Sequence, residues 1–192
     1  MKRVYVIVEG QTEEEFVNEV LAPFFISHGI LDVRAFQLET SPGFRGGAVS
    51  WQRLKLNVEL LLKREQDIVL TTFIDFFRLS YSFPCYQEGQ SIVDKVARTT
   101  FLEEAMADGI QDHRFIPYIQ LHEFEALLFS GSAGFNYLPA DRFTNRAALA
   151  ACRTIHLMAE QHFSVFFTNW HYKSEHAGYS IEFLKPIVSM KA

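Results

Sequence analysis

Cysteine is scarce in this chain. Cys85 and Cys152 are the two among 192 residues, and neither belongs to a CxxC pair. That excludes a zinc ribbon and a thioredoxin-like redox motif, and it suits a reducing compartment. Basic charge is also short: 18 Lys and Arg stand against 23 Asp and Glu, a formal net charge of -5. A generic nucleic-acid coat needs a basic face and is excluded. An enzyme that holds phosphates through a bound cation is not. Long apolar runs are absent too; none approaches the ~20 residues of a spanning helix. The run Val4 to Val8 behind Met1-Lys2-Arg3 is too short for a signal-peptide core. The expected location is the cytoplasm. The chain also lacks a GKS or GKT phosphate loop, a GxSxG elbow and a nucleophilic-cysteine setting.

What is present reads as a globular domain. Hydrophobic residues make up 48% and charged residues 21%, ordinary values for a folded protein. A chain of this length buries roughly 70% of its unfolded surface without disulfide staples. The 19 Phe are expected mostly in the core.

Val4 to Val8 reads as a strand buried on both faces. Glu9-Gly10-Gln11 is a short loop. Thr12 and Glu15 have capping-box spacing at the start of a helix, followed by Phe16, Val17, Val20, Leu21 and Phe24 on one stripe. Val33 to Leu38 is a second strand, and Thr40 to Gly47 a loop. Ser50 is placed to cap a second helix carrying Trp51, Leu54, Val58, Leu61 and Leu62, with Glu59 and Lys63 paired. Ile68 to Ile74 is a third strand ending in Asp75. Ser91 is placed to cap a third helix, with Asp94 and Arg98 paired. Phe115 to Leu121 is a fourth strand. Pro117 removes a ladder donor from it, which puts it at an edge or a bulge. His122 to Phe129 reads as a short helix. The alternation predicts an α/β fold: a mostly parallel four-stranded sheet flanked by helices over residues 1–130. Residues 131–192 form a helical or less regular extension.

In open α/β sheets, ligands bind outside the carboxyl ends of the strands. Glu9, Asp75 and the segment His122, Glu123, Glu125 all fall there. Clustered carboxylates repel and resist burial, so such a cluster favours a bound cation, Mg²⁺ or Mn²⁺. Simpler explanations stand beside this one. Glu9-Gly10 also suits a plain strand-to-helix turn, and Glu13, Glu14 and Glu15 suit the positive end of a helix dipole. His122 and Glu125 share a helix face at i, i+3, whereas Glu123 points elsewhere. The HxE of His122 and Glu123 lacks the PCxxC of zinc deaminases, which rejects that chemistry. Arg45, Gly46 and Gly47, read as opening the second helix, are candidate phosphate contacts through backbone N–H groups and one guanidinium. A plain surface loop is the competing reading there.

Val8-Glu9-Gly10-Gln11-Thr12-Glu13 resembles the opening motif of the Toprim superfamily, especially its overcoming-lysogenization-defect nuclease branch. More closely, the chain is similar to a Toprim-related bacterial family, domain of unknown function 4276. Val8 to Phe16, Arg45-Gly46-Gly47, Thr71 to Phe77 and Phe115 to Phe129 carry the similarity, roughly over residues 4 to 130. The resemblance implies a Toprim-like fold and Mg²⁺-dependent phosphodiester chemistry on nucleic acid. It also implies an SMC-like ATPase partner, in a setting of phage defence. Glu9 would be the general acid or base, and Asp75 a metal ligand helped by Glu13 and Glu125. The chain departs from the pattern at Phe77, which stands where Toprim enzymes carry the second Asp of a DxD. It departs again beyond about Ala150. A degenerate module that binds a protein partner, and a small-molecule phosphohydrolase, are the competing functions.

Overall fold

A computed structural model of the chain describes residues 3–27, 30–41, 44–45 and 49–121. The elements run β1 (Arg3–Val8), α1 (Gln11–Phe16), a π-helical turn (Val17–Leu21), α2 (Ala22–Ser27), β2 (Asp32–Gln37), β3 (Glu39–Ser41) and β4 (Phe44–Arg45). They continue with α3 (Trp51–Arg64), β5 (Ile68–Asp75), a 3₁₀ turn (Phe76–Arg78), α4 (Tyr86–Gly89), α5 (Lys95–Ile110), β6 (Phe115–Ile116) and β7 (Ile119–Gln120). The main sheet has the order β2-β1-β5-β6, with β7 also on β5. Every pairing in it is parallel. This is the α/β architecture expected from the alternating pattern, and all carboxyl ends share one edge.

The two faces of the sheet are sorted by the period-2 alternation of strand side chains. Val4, Val6 and Val8 of β1 and Val69 and Phe73 of β5 pack under Val17, Leu21, Ala22 and Phe25. Tyr5, Ile7, Leu70 and Ile74 face Leu54, Val58 and Leu62 of α3 and Leu102 and Met106 of α5. A sheet covered on both sides explains why β1 and β5 are continuous apolar runs.

Several local expectations are corrected. No capping box forms: α1 begins at Gln11, with Gly10 at its N-cap and no side-chain cap bond. Gln11 Nε2 instead donates to Glu15 Oε1 at 3.0 Å. The stripe shifts as well, leaving Val20 51% exposed. Pro23 has no amide for the Glu19 carbonyl and its ring crowds that oxygen. The helix therefore takes a π turn, in which the Ala22 amide reaches back to the Val17 carbonyl. The stretch read as a loop from Thr40 contains an antiparallel pair, β3 with β4. Ser50 occupies the N-cap of α3 without a side-chain bond, and Ser82 Oγ accepts from the Trp51 amide at 3.0 Å. The ion pair on α3 joins Lys55 and Glu59 at 3.7 Å. On α5, Asp94 is the cap and accepts from the Ala97 amide at 2.7 Å. Arg98 donates to the Ile92 carbonyl. The fourth strand is split, β6 and β7 flanking Pro117, as its missing donor requires.

Arg114 ties the opposite end of the sheet together. Its Nη1 donates to the Glu65 carbonyl at 2.8 Å and its Nη2 to the Leu62 carbonyl at 3.0 Å. These satisfy carbonyls at the end of α3 that have no intrahelical partner. Asp112 accepts from the same guanidinium at 2.7 Å. That hydrogen bond holds the Asp112 carboxyl below its ordinary value. Arg114→Ala is expected to lower unfolding free energy by about 2–3 kcal/mol in urea titrations. A depressed folded pKa gives stability that is complete above the unfolded value, about 3.9, and is lost as pH falls through the folded one. The gap between variant and wild type should therefore narrow in acid. A gap that stays constant below pH ~3 would contradict the pairing.

Candidate functional site

The parallel register brings the two principal acids together. Val8 stands beside Phe73 at the ends of β1 and β5, so Glu9 and Asp75 follow on the same edge. Glu9 Oε1 accepts a hydrogen bond from the Asp75 amide at 2.8 Å, across 66 positions of sequence. Both residues are buried, Glu9 7% exposed and Asp75 4%. The second oxygen of Glu9 lies 3.8 Å from Arg78 Nε on the 3₁₀ turn after β5. Burial of a carboxylate carries a desolvation cost for its charged form.

Glu13 reaches back over Gly10, the residue after Glu9. A Cβ on Gly10 would come within 3.1 Å of Glu13 Oε2, so the carboxylate folds over Gly10. Gly10 has φ -144, so close approach, and no unusual backbone angle, is what its lack of a side chain permits. Glu14 is held elsewhere, accepting from Gln37 Nε2 at the end of β2.

On the other side of Asp75 stands Gln120, its register partner on β7. Tyr118 Oη donates to Gln120 Oε1 at 2.5 Å. Burial, then the charges of Glu103 and Asp75, push the Tyr118 hydroxyl well above its ordinary value. It therefore remains a donor. Gln120 is 0% exposed, and its Nε2 has no hydrogen-bond partner among the described residues. Tyr118 stacks on Phe73 at 5.9 Å, and Phe73 on Phe16 at 5.8 Å. An aromatic layer thus underlies this end of the sheet.

Phe77 is 63% exposed, with its ring edge-on to Phe76. Arg45 lies in β4 opposite Glu39, and does not open a helix. α3 starts only at Trp51, after Val49 bridges to Leu79. Gly46, Gly47, His122, Glu123 and Glu125 lie outside the described residues. Among the described residues no three His, Cys, Asp or Glu side chains form a ready metal-holding group, and no helix is long and apolar enough to cross a membrane.

Four residues of this edge escaped the sequence reading: Arg78, Glu103, Tyr118 and Gln120. Glu103 carried a legible signal. It shares the i, i+3, i+4, i+7 stripe of Thr99, Leu102 and Met106, all buried, where an acid is out of place.

Fold and site together define an α/β protein with a buried acidic pair at the carboxyl edge of a parallel sheet. The chain belongs to the family described as domain of unknown function DUF4276, whose profile matches residues 8–154. No curated protein and no solved structure matches the chain.

Proposed function

We propose that this chain is a Mg²⁺- or Mn²⁺-dependent, Toprim-like phosphodiesterase acting on nucleic acid. The observation that carries this reading is the meeting of Glu9 and Asp75, two buried carboxylates joined through the Asp75 amide. Buried acids of this kind are stable mainly when a cation neutralises them. Hard oxygen donors suit Mg²⁺, which binds through one or two carboxylates and keeps several waters. Glu9, Asp75 and Glu13 would hold the ion, with Glu125 as a further ligand, and Glu9 would also move a proton. When bound, the ion supplies charge neutralisation at a phosphoryl group. The family resemblance adds an SMC-like ATPase partner and phage defence.

The test is cleavage of labelled single- and double-stranded DNA and RNA in Mg²⁺ or Mn²⁺. Glu9→Gln should reduce the rate by about 10²-fold or more, the usual share of a general acid or base. Cleavage unaffected by Glu9→Gln contradicts the assignment.

A second reading is a catalytically degenerate module that binds a protein partner. It is favoured by Arg78, which sets a guanidinium 3.8 Å from Glu9 Oε2, and by Phe77, which replaces the second Asp of the Toprim DxD. A cation-independent complex with the partner ATPase, and no cleavage of any of these substrates, is its signature.

A further inference from the structure

The fourth strand is interrupted where it approaches Asp75, and side chains repair the interruption. Pro117 has no amide to give. Tyr118 follows between β6 and β7, and a single hydroxyl serves both of its backbone groups. Thr72 Oγ1 accepts from the Tyr118 amide at 2.8 Å and donates to the Tyr118 carbonyl at 2.7 Å. The next amide, that of Ile119, donates to Glu103 Oε1 at 2.8 Å. Pairing then resumes, Ile74 with Ile119 and Asp75 with Gln120.

Glu103 is an unusual choice for this task. It is 7% exposed, on the buried stripe of α5. A carboxylate there carries a desolvation cost that a neutral side chain would avoid. What the contact achieves is placement. It fixes the one amide between the break and the residue opposite Asp75. From there the chain passes through Gln120 and Leu121 directly to His122. The same short segment keeps Gln120 Nε2 buried and without a hydrogen-bond partner among the described residues, an arrangement that a relaxed strand end would lose. Groups held against their local preference are characteristic of functional edges.

We infer that Glu103 is a positioning residue for the Glu9–Asp75 site: its carboxylate takes the Ile119 amide and sets the interrupted strand beside Asp75. This inference rests on the reading of that edge as the cation site. Glu103 acts through the strand and is not a ligand. The role needs an acceptor oxygen and not a charge, which separates it from a ligand's role.

Glu103→Gln retains a carbonyl acceptor, and Glu103→Ala does not. Two readouts are made on each variant of the full chain: exchange of the Ile119 amide by NMR, and Mn²⁺ affinity by calorimetry. Glu103→Ala should lose protection at Ile119 and bind Mn²⁺ about 10–100-fold more weakly, the usual penalty for removing a residue that orients ligands. Glu103→Gln should keep both. Protection and affinity unchanged in Glu103→Ala overturn the inference. So does a Glu103→Gln variant that loses Mn²⁺ as Glu9→Gln does, because the charge would then be what matters. If Glu103→Ala does not fold, Glu103→Gln carries the test by itself. If wild type takes up no Mn²⁺, the cation reading fails, while Ile119 exchange still decides whether Glu103 holds the strand.

Discussion

Asp75→Asn should raise the melting temperature of the metal-free protein by about 3–6 °C, corresponding to 1–2 kcal/mol in a chain of this size. The substitution keeps the shape of the side chain and removes a charge. Asp75 is 4% exposed and lies on the same edge of the sheet as Glu9, 7% exposed, so a charge on either carries a desolvation cost. Arg78 stands 3.8 Å from Glu9 Oε2, with its own side chain 53% exposed. Sites that hold a ligand commonly hold it at the expense of the empty protein, and neutralising one member releases the cost. Adding Mn²⁺ should reverse the order. Wild type gains stability by mass action from a ligand that binds only the folded state, and Asp75→Asn gains little. A variant less stable than wild type without metal would mean that protein groups alone satisfy the Asp75 charge.

Phe77→Asp should raise Mn²⁺ affinity by about tenfold or more, the value of roughly 1.4 kcal/mol of added binding. Phe77 is two residues past Asp75 and 63% exposed, so its removal leaves no core cavity. A carboxylate there places a second acid two residues past Asp75. It adds an oxygen ligand at that position, and charge count is a main determinant of affinity for hard cations. Calorimetry reads the change directly. An affinity equal to wild type would show that position 77 does not face the ion.

Much of this edge could be read from the residues. Continuous apolar runs at Val4–Val8 and Ile68–Ile74 announce strands covered on both faces, and such strands run parallel. Parallel strands put Glu9 and Asp75 on one edge whatever the loops do. Pro117 announced a break at the sheet's edge. Local bonding was harder to foresee. The π turn follows from Pro23, but a helical stripe drawn at a fixed period cannot absorb one extra residue. Caps were misplaced at Thr12 and Ser91 because several polar residues compete there, and tertiary partners decide among them. Ser82 reaches the Trp51 amide from 31 positions away, a contact no local pattern contains. The same holds for Glu103, whose partner amide belongs to another element, and for Arg78, whose relation to Glu9 depends on the turn after β5.

The most direct test of the central claim is a calorimetric titration of Mn²⁺ into wild type and Glu9→Gln side by side. Saturable binding to wild type is expected, weakened about 10²-fold in Glu9→Gln, which keeps an acceptor for the Asp75 amide and loses the charge and one acceptor oxygen, worth about 2.7 kcal/mol of binding. Equal affinity in the two proteins, or no uptake by wild type, would contradict it and leave the acidic edge as a binding module's structural feature.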